Sequence, residues 1–225
     1  MPEVAYFYKL SASEYFDGRN ETGMSPREER KTNTRRELID GTVRTVANIG
    51  LENTTTDAIC KESGLNVSTI YRLYNTKEEL IADAFAAVDD EFVGVILKGF
   101  PVLRYESIDF ESRCHVLFLK CWEYIMAHPD ELIFYVRYYY SSSFLKYSND
   151  DQIKRFSALF GKMKTAFPET TDMRMVLHHI LDTLLGEARK QINDPKTDSA
   201  VAGEKCFRLI FSVVKSYVRE DKFKE

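Results

Sequence analysis

Four side chains at the start of one short predicted helix, Val67, Ser68, Thr69 and Arg72, hold the groups most open to chemistry with a partner. Hydroxyls and a guanidinium at a helix N-terminus can hydrogen-bond base edges, and a valine can meet a thymine methyl. Small side chains there also let the backbone sink into a major groove. Around them stand the phenols of Tyr71 and Tyr74, the hydroxyls of Thr55 and Thr56, and the ammonium of Lys77. Phenol tips reach phosphate oxygens, and a lysine beside a helix N-terminus joins its charge to free N–H groups that attract phosphate.

Such groups need short helices held at fixed angles, and the surrounding residues predict them. Thr55 or Thr56 can cap a first helix with Ala58, Ile59 and Cys60 on its buried side. Ser63-Gly64 stops it, because glycine takes the left-handed conformation that closes a helix. Asn66 then caps a second helix from Val67 to about Tyr74, with Ile70 and either Leu73 or Tyr74 inward and Val67, Ser68, Thr69 and Arg72 outward. Thr76-Lys77-Glu78-Glu79 reads as a capping box that starts a third, with Glu79 reaching back.

This segment resembles the DNA-binding head of the tetracycline-repressor (TetR) family of bacterial transcriptional regulators. The resemblance rests on Thr55, Ile59, Gly64, Leu65, Asn66, Ile70, Tyr71, Tyr74, Lys77 and Leu80, with Gly50 closing a preceding helix, and spans about residues 33 to 81. It implies that Lys77, Tyr71 and Thr56 hold phosphates and that Val67, Ser68 and Thr69 face bases. Cys60 and Ser63 stand where such proteins usually carry alanine, and Leu73 where histidine or a polar aromatic is common. Asp57 either reads a cytosine amino group or repels phosphate, and both readings stay open.

A formal net charge of −4 argues against a nonspecific nucleic-acid coat protein, but a small DNA-facing surface on a larger acidic body tolerates it. Arg35 and Arg36, near the start of the helix expected from Asn33 or Thr34 to about Ile49, are further candidates for phosphate contact. No run is long and apolar enough for a membrane span. The scattered Cys60, Cys114, Cys121 and Cys206 show no metal-ligand spacing, so reduced thiols in the cytoplasm and no bound metal or cofactor are expected. His178 and His179 point about 100° apart on a helix, a poor geometry for one ion. With no phosphate-cradling glycine loop, serine elbow or metalloprotease pair, no catalytic residue is assigned and no enzyme activity is expected.

The remaining chain is helical by period, which predicts an all-α protein in three stretches. Residues 1–32 form a partly flexible N-terminal arm, with Arg27, Arg30 and Lys31 as an end that could reach DNA. Residues 33–80 form the helix-turn-helix domain, and 81–225 a helical regulatory and dimerisation domain. In the resembled family the helices bearing Phe118, Trp122, Phe134, Tyr135, Tyr138, Tyr139, Phe156 and Phe160 line a ligand cavity. With His178, these residues are the expected pocket for a small apolar or aromatic effector. The last two helices, about Thr171–Ile192 and Ser199–Val218, carry wide apolar faces suited to a homodimer contact. The expectation is a homodimeric regulator on a palindromic double-stranded operator, released by a ligand; the rival is a helical small-molecule carrier or enzyme whose helix-turn-helix is only structural.

Overall fold

A computed structural model describes residues 25–105 and 107–223, without the side chains of Ala158, Phe160 and Lys162. The described residues form an all-α fold with no strand: α1 (Pro26–Ile49), α2 (Thr56–Ser63), α3 (Val67–Leu73), α4 (Lys77–Gly99), α5 (Phe110–Ala127), α6 (Pro129–Tyr139), α7 (Ser142–Tyr147), α8 (Asn149–Met163), α9 (Met173–Asn193) and α10 (Ser199–Val214). The chain divides into two compact units, Met1–Arg35 and Arg36–Glu225. Most of the expected arm, residues 1–24, lies outside the described residues.

In the first unit, α1 begins nearly two turns earlier than the apolar pattern predicts. Ser25, Pro26 and Glu28 explain the difference. The Ser25 backbone N–H donates to the Glu28 carboxylate at 2.9 Å, the Glu28 N–H returns a bond to Ser25 Oγ at 3.4 Å, and proline stands first in the helix. That capping box starts a turn that has no apolar face, so periodicity missed it.

The second unit has two cores. The smaller takes one fully buried residue from each of four helices: Leu38, Ile59, Ile70 and Leu80. Burying four such side chains contributes roughly 1.5–3 kcal/mol each, enough to hold α2 and α3, which are too short to persist alone. The larger core begins one residue further on, with Ile39 of α1 and Ile81 of α4, and continues through α5 to α10. Adjacent helical residues point about 100° apart, so α1 and α4 each serve both cores from neighbouring faces.

Two close approaches fix the packing. A Cβ on Gly41 would lie 2.7 Å from Ser63 Cβ and 3.0 Å from the Ser63 backbone, so α1 meets the end of α2 backbone to backbone. In the larger core the Trp122 indole lies against Gly203, and its N–H donates to the Ser199 carbonyl at 3.0 Å, joining α5 to α10.

Gly41→Ala is therefore expected to destabilise the protein by about 1–3 kcal/mol, because the backbone it meets cannot step aside. Gly94→Ala, which meets nothing within 4 Å in the middle of α4, is expected to stabilise it by about 0.5–1 kcal/mol. Urea unfolding of both variants checks the pair.

Candidate nucleic-acid interface

The turn between α2 and α3 is built by local caps. Thr55 Oγ1 accepts the Ala58 N–H at 3.1 Å to start α2, and Gly64 closes it at φ 72°. Asn66 then starts α3 as a hub: its Oδ1 accepts the Thr69 N–H at 3.0 Å, the Thr69 hydroxyl at 2.9 Å and the Ser68 hydroxyl at 2.6 Å. At the head of α4, Thr76 Oγ1 accepts the Glu79 N–H at 3.1 Å. Glu79 reaches back one residue beyond Thr76, to the Asn75 N–H at 2.9 Å.

Ile70 anchors α3 on its inner side, which leaves Ser68, Tyr71 and Arg72 exposed and Val67 half-buried. Tyr71 stands out at 56% exposure, unusual for a tyrosine beside a well-formed core. Thr55 and Arg36 are exposed too, Thr56 is half-buried, and Arg35 is exposed on α1.

Three of the expected contact residues have partners within the fold. Thr69 is only 8% exposed, and its hydroxyl is bound to Asn66, so it lines the inside of α3 beside Ile70. Tyr74 turns its hydroxyl to Asp83 at 2.6 Å, where a carboxylate acceptor holds the phenol against α4. Lys77 reaches 23 residues back and donates to the Thr54 carbonyl at 2.7 Å, so one of its three N–H bonds secures the loop entering α2. Arg44, which the sequence did not single out, ties α1 to the other end of α2. Its guanidinium bonds the Glu62 carboxylate at 2.7 Å and the Glu62 carbonyl at 3.3 Å.

The expected ligand-pocket residues fall mostly in the larger core. Phe118, Trp122, Phe134, Tyr135, Tyr138 and Phe156 are buried, and Tyr139 is half-buried. Phe85 of α4 packs among them, with ring centroids 4.8 Å from Tyr135 and 4.9 Å from Tyr138. A cavity beside Tyr135, walled by Val88, Phe92, Leu132 and Leu185, holds about 30 Å³, far below the several hundred Å³ of a typical ligand site. The Phe160 side chain lies outside the described residues. His178 is exposed and takes no part in this core; Asp182, one turn on, accepts the Tyr140 hydroxyl at 2.7 Å.

One polar cluster sits within these aromatic residues. Asp89 of α4, fully buried, accepts the Tyr135 hydroxyl at 2.7 Å, and its other oxygen meets Arg155 Nε of α8 at 2.5 Å. Gln152 donates to the Tyr135 oxygen at 2.7 Å. Burial pushes the Asp89 carboxyl above its ordinary range, against the pull of Arg155 and Tyr135, and raises the Tyr135 phenol well above its own. The thiols of Cys114 and Cys121 are pushed up to about 12 by burial, which disfavours the thiolate.

Residues 38–84 match the family model of bacterial regulatory proteins, tetR family. No curated protein matches the chain. A TetR family transcription regulator from Marinobacter aquaeolei VT8 has the same fold, with a TM-score of 0.65 at 17% identity over 86% of this chain and 100% of that one. FadR from Bacillus subtilis, solved in complex with stearoyl-CoA, gives 0.63 at 18% identity over 79% and 97%. SmeT, the repressor of a Stenotrophomonas maltophilia multidrug efflux pump, gives 0.58 at 15% over 86% and 95%. The four-helix head thus contains the segment that matches the tetR-family model, and the chain shares its fold with TetR family transcription regulators.

Proposed function

We propose that the chain represses transcription in the cytoplasm as a homodimer on a palindromic operator and is released by an apolar effector. The observation that carries this reading is α3. Its inner side is locked by Ile70 into a four-residue core, while Ser68, Tyr71 and Arg72 project from a helix short enough to lie in one major groove. In this reading 33–80 binds DNA, 81–225 regulates and dimerises, and 1–32 is an arm. The family match favours it over a helical carrier or enzyme with a structural helix-turn-helix.

Base contacts come from Val67, Ser68 and Arg72. Ser68 gives its proton to Asn66, so it offers lone pairs outward and suits the amino group of adenine or cytosine. Phosphates are held by Tyr71, by the remaining N–H bonds of Lys77, and by Thr55, Thr56, Arg35 and Arg36. Thr69 and Tyr74 serve the frame of the site instead.

Two readers are needed for a specific site, and two-fold symmetry supplies them. On α10 the exposed apolar residues Val201, Leu209 and Val213 are spaced by multiples of four, with Tyr217 one turn further on; Leu209 is 52% exposed. That stripe, with Met175 of α9, is the proposed dimer contact. The effector enters by displacing aromatic packing near Tyr135, and an apolar chemistry fits both those walls and the stearoyl-CoA bound by FadR.

The purified protein is expected to bind a duplex selected from random DNA, losing roughly 10³-fold in affinity between about 50 and 200 mM salt. Tyr71→Ala weakens binding by about tenfold through loss of a phosphate hydrogen bond, as measured by fluorescence anisotropy. Salt-insensitive binding, or none to any selected duplex, sinks the DNA-reading assignment.

Leu209→Glu places a charge at the centre of the stripe. It is expected to yield a folded monomer in sedimentation experiments and to cost at least about 100-fold in operator affinity, since one reader is lost with its partner.

A further inference from the structure

Arg137 was not singled out by any sequence pattern. It lies on α6, whose inner side is fixed in the larger core by Tyr135, bonded to Asp89, and by Tyr138, packed on Phe85. Arg137 points the other way. Its Nη1 donates at 2.7 Å to the carbonyl of Val46, 91 residues earlier and in the last turn of α1.

That carbonyl already accepts the Gly50 N–H at 3.0 Å, the bond that closes α1. A helix C-terminus carries partial negative charge, which a nearby cation stabilises. α1 has no lysine or arginine in its own last turn, and the cation comes from the body. Arg44, just ahead of Val46, repeats the device one step further by donating to the Glu62 carbonyl in the last turn of α2 at 3.3 Å, beside its 2.7 Å ion pair with the Glu62 carboxylate. Two guanidinium caps thus run in series: α6 holds the end of α1, and α1 holds the end of α2.

We infer that Arg137 is a positioning residue for DNA binding, through which the packing of α6 in the body sets the orientation of α1 and so of the reading pair. It touches no DNA. The inference rests on the DNA-binding reading above, and it differs from a route through α4 alone. If α4 carried all the coupling, Arg137 would be a surface cap and nothing more.

A double-mutant cycle on the full-length protein separates the two. Tyr135→Phe loosens the inner side of α6 by removing its bond to Asp89, and Arg137→Met keeps the stem but removes the cap. Affinity for the selected duplex is measured for wild type, each single variant and the pair. Circular dichroism and sedimentation establish that each is folded and in the wild-type oligomeric state. Tyr135→Phe is expected to change affinity roughly 3- to 30-fold in the wild-type background, and less than about 2-fold beside Arg137→Met. Arg137→Lys, which keeps the cation, restores part of the response. The same factor in both backgrounds, or no effect of Tyr135→Phe in wild type, overturns the inference. If Tyr135→Phe fails to fold, Asp89→Asn replaces it as the inner perturbation.

Hydrogen exchange without DNA gives a second readout. Tyr135→Phe is expected to speed exchange at the Gly50 amide and in α2 only when Arg137 is present. Coupled exchange without DNA binding would remove the DNA reading and keep the tether; DNA binding with uncoupled exchange would remove the tether alone.

Discussion

Leu38 and Ile39 on α1, and Leu80 and Ile81 on α4, are the pairs on which the arrangement depends. In each pair the first residue belongs to the small core of the head and the second to the large core of the body. Since interiors are close-packed, neither helix can shift in one core without disturbing the other. α3 makes no such double commitment. It is held in the small core alone, by Ile70 with Leu73 and Tyr74 against it, so its placement follows from that of α1, α2 and α4.

Satisfied polar groups decide what the head can offer to DNA. A hydroxyl or ammonium has a fixed number of donors and acceptors, and the fold claims some of them before any partner arrives. Asn66 takes the protons of Ser68 and Thr69, Asp83 takes that of Tyr74, and the Thr54 carbonyl takes one from Lys77. What α3 keeps outward is narrower than its residue types suggest: lone pairs on Ser68, the Tyr71 phenol and the Arg72 guanidinium.

The body shows the opposite balance, an apolar core around one charged cluster. Asp89 and Arg155 pair across α4 and α8, Tyr135 donates to the same carboxylate, and Gln152 donates to the Tyr135 oxygen. Removing one partner would strand the other, so the cluster fixes how α4, α6 and α8 meet. The same α6 reaches outward through Arg137 to the head. Of the aromatic residues expected around a cavity, Tyr135 belongs to this cluster, and Trp122 is pinned between Ser199 and Gly203.

The sequence by itself determined the helices of the head and where they end, because a cap acts within three or four residues: Thr55, Gly64, Asn66 and Thr76 each close or open a helix as their types dictate. It also determined which side of α3 faces inward through Ile70, since a helical period needs no distant partner. The early start of α1 was legible too, in the Ser25 and Glu28 spacing, although the apolar period passed over it. Tertiary structure alone decided the fates of Tyr74, Lys77, the aromatic set and Arg137. Each turns on which carbonyl, carboxylate or ring arrives from another helix or loop, and residue type at one position carries no record of that approach.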